Sequence, residues 1–194
     1  MLIIVRHGRT AANAAGLLQG RIDNPLDELG RRQAEEIATA VGRVDVVVSS
    51  PLVRAMETAG PLAARSGIDV DVDDRWIELD YGAWEARPVA DVPPETWEAW
   101  RSDPHFRPPD GESLHQLNDR VARACDAVLE VARHATVAVF THVSPIKAAI
   151  AWALGVSDEI SWRMRVDQAQ ISRVAIRGDR PSLVSFNDVA HLGS

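Results

Sequence analysis

Two histidines close apolar runs in this chain. Leu2-Ile3-Ile4-Val5 leads into Arg6-His7-Gly8-Arg9-Thr10, and Thr136 to Phe140 leads into Thr141-His142. β-Branched and other apolar side chains in unbroken runs of four or five suit strands buried on both faces. Ligands of open α/β sheets bind at the carboxyl ends of such strands, so His7 is a titratable nucleophile at a ligand-binding edge. A core strand ordinarily ends in turn formers, and an imidazole withdrawn from water needs partners for its ring nitrogens. Two of them are therefore hard to explain as packing. Arg6 adjoins the first histidine. Arg54 follows Ser49-Ser50-Pro51 by about one helical turn, where a positive charge opposes the helix dipole and an anion would compensate it. Glu78 sits in Trp76-Ile77-Glu78-Leu79-Asp80-Tyr81-Gly82-Ala83-Trp84, with Asp80 and Glu85 as competing carboxylates. A nucleophile, two cations and a carboxylate suit nucleophilic and acid–base chemistry on an anionic substrate.

The elements that must position these residues follow from periodicity and capping signals. Ala11 to Pro25 has no sustained apolar period and reads as a loop with room for one helical turn. Leu29, Ala34, Ile37, Ala38 and Val41 recur at three- and four-residue steps, which predicts a helix over 27–41. Val44 to Val48 is a second buried strand, followed by a helix to Gly67 with Ser50 as N-cap and Pro51 in its first turn. Ile68 to Val72 alternates as a half-exposed strand. Ser113 with Gln116 forms a capping box that opens a helix to about His134. Its inward face is Leu114, Leu117, Val121, Ala124, Cys125, Val128 and either Val131 or Ala132. Ser144 and Pro145 read as N-cap and first helical residue of a helix to Leu154. Ile171 to Ile176 and Leu183 to Phe186 are strands around a Gly178-Asp179-Arg180-Pro181 turn. Strands alternating with helices predict an α/β fold, a three-layer α/β/α sandwich with a mostly parallel central sheet.

Composition narrows the function class. The 194 residues are most simply one domain, 1–194, and a net charge of −7 argues against a nucleic-acid surface. No apolar run approaches the roughly 20 residues of a membrane span, and no basic stretch precedes the N-terminal apolar run, so a cytoplasmic location is the default. The single cysteine, Cys125, falls on an apolar helix face and reads as core. No C-x-x-C or H-x-x-x-H spacing suggests a metal site, and no P-loop or dinucleotide fingerprint suggests a cofactor.

Arg6-His7-Gly8-Arg9-Thr10 with Asn13 resembles the R-H-G-x-T-x-x-N signature of the histidine phosphatase superfamily, which includes cofactor-dependent phosphoglycerate mutase. The resemblance continues in order through Ser50-Pro51-Leu52-Val53-Arg54-Ala55 with Thr58, Glu78 ahead of Tyr81-Gly82-Ala83-Trp84-Glu85, Gly111-Glu112-Ser113, and Thr141-His142. It implies that His7 attacks phosphorus and becomes a phosphohistidine, that Arg6, Arg54 and His142 hold the phosphoryl oxygens, and that Glu78 donates and then accepts the proton. Thr10 and Asn13 belong to the same phosphate-binding signature, and Gly8 allows close backbone approach. Tyr81 either binds substrate or packs. The family uses no metal. Many members have glycine after the second histidine; Val143 stands here instead and narrows that edge of the pocket. This is more similar to the acid phosphatase and α-ribazole phosphatase-like branch than to true mutases.

Residues 86 to 112 carry Pro88, Pro93, Pro94, Pro104, Pro108 and Pro109, with one helical stretch, Glu95 to Arg101, holding Trp97 and Trp100. A long insertion of this kind commonly forms a lid, and the tryptophans suggest that it packs over the site. It offers Arg87, Arg101, His105 and Arg107 but no lysine, which favours water over a second phosphorylated acid as the group attacking the phosphoenzyme. The expected activity is hydrolysis of a small phosphorylated metabolite. Mutase-type transfer and a catalytically silent phosphate-binding module are the alternatives, and a homodimer is the default assembly.

Overall fold

The computed structural model describes residues 1–178 and 180–193. In chain order the elements are β1 (Leu2–Arg6), the one-turn α1 (Ala11–Ala14), α2 (Glu28–Val41), β2 (Val46–Ser49), α3 (Val53–Ser66) and β3 (Val70–Val72). There follow α4 (Pro94–Ser102), α5 (Leu114–Ala132), β4 (Val137–Thr141), α6 (Val143–Leu154), β5 (Ile171–Arg177) and β6 (Arg180–Asp188). One sheet runs in the order β3-β2-β4-β1-β5-β6. The first four of these pair in parallel, β5 lies antiparallel to β1, and β6 antiparallel to β5.

Alternation along β1 divides the core. Leu2 and Ile4 pack with Leu117, Val121 and Cys125 of α5 and Ile146 and Ile150 of α6, whereas Ile3 and Val5 pack with Ile37 of α2 and Leu62 of α3. The strand is thus buried on both faces, and the three-layer arrangement expected from the alternating elements is the one found. Each such aliphatic side chain contributes about 1.5–3 kcal/mol when buried, so a one-residue slip of β1, which would swap its two faces, is strongly disfavoured.

Local signals fared unevenly. Asp27 caps α2 through Gly30 N–H at 2.8 Å, and Ser113 and Gln116 form the expected box at the start of α5. Ala132, not Val131, completes the buried face of α5; Val131 is exposed. The parallel edge strand β3 is shorter than expected and the final strand β6 longer. Asp179, in the expected turn, lies outside the described residues.

Two helix starts differ from the sequence reading. α3 begins at Val53 with Leu52 as N-cap, and α6 begins at Val143 with His142 as N-cap; neither cap residue bonds its helix through its side chain. Serine was expected to cap each helix because its oxygen can take an orphan N–H. Here distant carboxylates do so. Asp23 accepts from Val53 N–H at 2.7 Å, and Glu78 accepts from Val143 and Ser144 N–H at 3.1 and 3.2 Å.

Candidate active site

Parallel pairing in register brings the site together. Arg6 of β1 stands opposite Thr141 of β4, and Ser49 of β2 opposite Phe140, so the three strands finish side by side. The residues that follow them, His7, His142 and Ser50, must therefore emerge as neighbours. His7 N–H donates to Thr141 O at 3.0 Å and Ser50 N–H to Phe140 O at 2.9 Å, carrying the alignment past the strand ends. The imidazoles of His7 and His142 lie 5.1 Å apart, centre to centre, at 56°.

His7 is held in one tautomer. Its Nδ1 is 2.7 Å from Gly8 O, a carbonyl that can only accept, so Nδ1 carries the proton and Nε2 keeps its lone pair. Burial first, then the nearby guanidiniums of Arg54 and Arg6, hold its pKa well below the usual imidazole value. The ring stays neutral and nucleophilic through the physiological range. His142 is fully buried and held low in the same way; its Nε2 lies 2.7 Å from Ser50 Oγ. Ser50 Oγ also accepts from Leu52 N–H at 3.4 Å, but α3 begins only at Val53, whose N–H goes to Asp23.

The cations are braced by backbone. Arg54 is 1 % exposed and donates to Ile22 O and Gly20 O, each at 2.7 Å, which folds the 20–22 loop around its guanidinium. Arg6 donates to Val166 O at 2.9 Å. Burial pulls Arg6 down to about 10, so it remains cationic at neutral pH. Arg6 Nε, Arg54 Nε and His142 Nδ1 are buried without a hydrogen-bond partner among the described residues. An unmet buried donor costs about 1–3 kcal/mol, so this cluster favours an anion that would meet them.

Glu78 is 6 % exposed and fixed by three amides: Leu79 N–H at 2.7 Å, Val143 N–H at 3.1 Å and Ser144 N–H at 3.2 Å. The first N–H groups of α6 thus serve to orient this carboxylate. Its backbone is clamped as well. Arg120 donates to the carbonyls of Arg75, Ile77 and Glu78 at 2.8, 2.7 and 3.1 Å and grips both oxygens of Glu112 at 2.8 Å. The competing carboxylates are otherwise engaged: Asp80 pairs with Arg21 at 3.2 Å, and Glu85 accepts from Arg21 N–H at 2.6 Å.

A cavity of about 150 Å³ opens here, lined by Arg6, His7, Asn13, Arg54, Glu78, Tyr81, Val143 and the Leu17–Gly20 loop. Thr10 and Gly8 are not in its wall, nor is His142, which lies buried behind His7. Thr10, fully buried, forms a capping box with Asn13 and donates to Gln19 Oε1 at 2.9 Å. This engages Asn13 Oδ1 and leaves the amide nitrogen of Asn13 free for a ligand. A Cβ on Gly8 would lie 2.5 Å from Gly30 O, so the close approach that requires glycine is to α2, not to substrate. Tyr81 lines the cavity and packs edge-on to Trp100, with ring centres 5.9 Å apart.

The insertion contributes aromatics rather than charge. Trp97 and Trp100 line a second cavity that adjoins the first. Arg87, Arg101, His105 and Arg107 line neither. Arg107 donates to Gly111 O at 2.8 Å, Arg101 lies over the Trp162 ring, and His105 packs on His115. Sequence reasoning missed Gln19, Arg120 and Lys147. Only the last left a signal, as the sole lysine of the chain.

The sequence pattern of the histidine phosphatase superfamily (branch 1) matches residues 2–189, and the chain belongs to that family. The bifunctional protein Rv2228c of Mycobacterium tuberculosis is 36% identical over 94% of this chain and 52% of its own length. The chain thus spans about half the length of the first curated relatives it matches. Phosphoserine phosphatase 1 of Hydrogenobacter thermophilus is 34% identical, with 99% of this chain and 94% of that protein covered. Among solved structures, a mutant phosphoserine phosphatase of Entamoeba histolytica in complex with phosphoserine aligns with a TM-score of 0.90 at 27% identity, covering 98% of both chains. Among the described residues, no helix is long and apolar enough to cross a membrane, and no His, Cys, Asp and Glu cluster could hold a metal ion.

Proposed function

We propose that the protein is a phosphomonoesterase that works through a phosphohistidine on His7, with residues 86–112 capping a single catalytic domain. The observation that carries this is the tautomer of His7: with Nδ1–H anchored on Gly8 O, the lone pair of Nε2 is free for phosphorus. Nε2 forms the N–P bond as the ester P–O bond breaks, and the leaving oxygen takes a proton from the Glu78 carboxyl. Water then attacks phosphorus and gives its proton to the Glu78 carboxylate, and the N–P bond breaks to release inorganic phosphate. Arg6, Arg54, Asn13 and His142 supply the donors that stabilise charge on the transferring oxygens. Holding Glu78 on three amides serves both steps, since the same group must meet the leaving oxygen and later the water.

The phosphoserine bound by the Entamoeba structure supports a small phosphorylated metabolite as substrate. Hydrolysis is favoured over mutase transfer because the insertion's cations line neither cavity. A silent binding module would have no use for a clamped carboxylate beside the nucleophile. The test is p-nitrophenyl phosphate turnover, its inhibition by vanadate, and rapid quench to trap base-stable, acid-labile phosphate on the protein. Covalent phosphate retained on His7→Ala would sink the assignment.

A further inference from the structure

The second cavity, of about 190 Å³, shares Tyr81 and Val143 with the first, so the alcohol part of an ester bound at His7 has room to extend into it. Trp97, Trp100, Trp162, Leu79 and Leu114 make it apolar. Trp97 and Trp100 stack at 5.6 Å and 5°, and Trp162 stands edge-on to both. Among this wall is one cation, Lys147. The chain has 21 Lys and Arg residues, and Lys147 is the only lysine. It follows Val143 by four residues on α6, hence on the same helix face and about 6 Å further along the axis. Its ammonium has no hydrogen bond or ion pair among the described residues, and burial lowers its pKa from the ordinary amine value by more than the nearby Glu78 carboxylate raises it. A partly desolvated cation facing an apolar cavity favours a ligand that brings the counter-charge.

We infer that Lys147 anchors a carboxylate on the leaving group, and that the substrate is the phosphomonoester of a hydroxy acid with an apolar, ring-sized body and no amino group. This rests on the phosphatase reading above. Three features select the class. The indole walls suit a planar or aliphatic body. A lone ammonium is a point charge matched to a monoanion, whereas the planar forks of arginine, used around His7, suit phosphoryl groups. No acidic side chain lines the cavity, so an α-ammonium would go unpaired there.

The test compares 4-carboxyphenyl phosphate with its carboxamide isostere, 4-carbamoylphenyl phosphate. The wild-type protein should prefer the carboxylate by about 10–100-fold in kcat/KM, the range of one charge-assisted hydrogen bond. Lys147→Met should bring that ratio to near one, and Lys147→Arg should keep most of it. Binding of both esters to His7→Ala protein, read by tryptophan fluorescence, should show the same preference without turnover. A ratio near one in the wild-type protein, or one that survives in Lys147→Met, overturns the inference. Absence of hydrolysis with the binding preference intact would overturn the phosphatase reading and leave Lys147 as a carboxylate anchor. On the same binding assay, phosphoserine should bind more weakly than 3-phosphooxypropanoate, which lacks its ammonium. The reverse order would overturn the exclusion of amino acids.

Discussion

The cavity around His7 is walled by side chains whose polar atoms are tied to backbone, whereas the one beside it is walled by indoles packed on one another. Arg54 is seated on two carbonyls, Glu78 on three amides and His7 on one carbonyl, so each group has essentially one place to be. Tyr81, Trp84, Trp97, Trp100, Phe106 and Trp162 instead form a ring cluster with centres about 5.6–6.3 Å apart, held by area and shape. Transition-state stabilisation needs donors fixed in advance, because reorganising them would cost what they contribute. A leaving-group pocket needs fit, which packed aromatics supply and which can change without disturbing the donors. The comparison implies that damage on the first side lowers kcat for every ester, while damage on the second side re-ranks esters.

The largest break is removal of the nucleophile. His7→Ala should reduce turnover of any phosphomonoester by about 10⁴-fold or more and leave the folded CD spectrum intact. Residual turnover within tenfold of wild type would show that His7 is not the nucleophile. Glu78→Gln should cost about 10²–10⁴-fold and, because water attack is then slow, let acid-labile phosphate accumulate. A variant that hydrolyses normally would exclude Glu78 as the proton carrier.

Arg120→Met probes the clamp behind Glu78 without touching the cavity. It should lower kcat about tenfold with KM little changed, through a carboxylate displaced by a fraction of an ångström. Glu112, partly buried and still paired with Arg21 at 3.3 Å, loses its closer partner, and three backbone carbonyls lose their donor, which should cost about 1–3 kcal/mol in urea unfolding. A stability loss without a kcat effect would reduce Arg120 to a structural residue. On the aromatic side, Trp97→Ala should raise KM about tenfold for aryl esters and barely move it for esters of small alcohols; a uniform loss would mean that the two cavities are not independent.

Beyond the reaction itself, the buried imidazoles set a pH dependence of stability. His7 and His142 are held well below the ordinary imidazole pKa by burial and by Arg54 and Arg6. Above pH of about 6.5 neither state binds the proton and there is no linkage. Below it the unfolded chain takes up protons that the folded chain refuses. Stability should therefore fall as pH drops from 6.5 toward the folded pKa values, by up to about 1.4 kcal/mol per pH unit for each histidine. Urea midpoints across that range should show the slope, and His142→Asn should flatten it. An unchanged slope would mean that other groups dominate.

Legibility in the sequence followed how local each cause was. β1, α2 and α5 were readable because apolar period and capping lie within a few residues of one another. The starts of α3 and α6 were misread because carboxylates far away in sequence, Asp23 and Glu78, meet the first N–H groups of the two helices, which then begin at Val53 and Val143. Gly8 was recognised as necessary for the wrong neighbour: only the packed structure shows Gly30 O against it. The charges of the insertion were visible, but not that Gly111 O, Trp162 and His115 would engage three of them away from the site.

The order of strands and helices, the faces that must be buried and the residues able to do chemistry are properties of residue type and spacing, and the chain alone determined them. Which nitrogen of His7 is free, what steadies Glu78 and where the only lysine stands were decided by tertiary structure. Each depends on a hydrogen bond, or on the lack of one, between groups that only the parallel sheet and its flanking helices bring within a few ångströms.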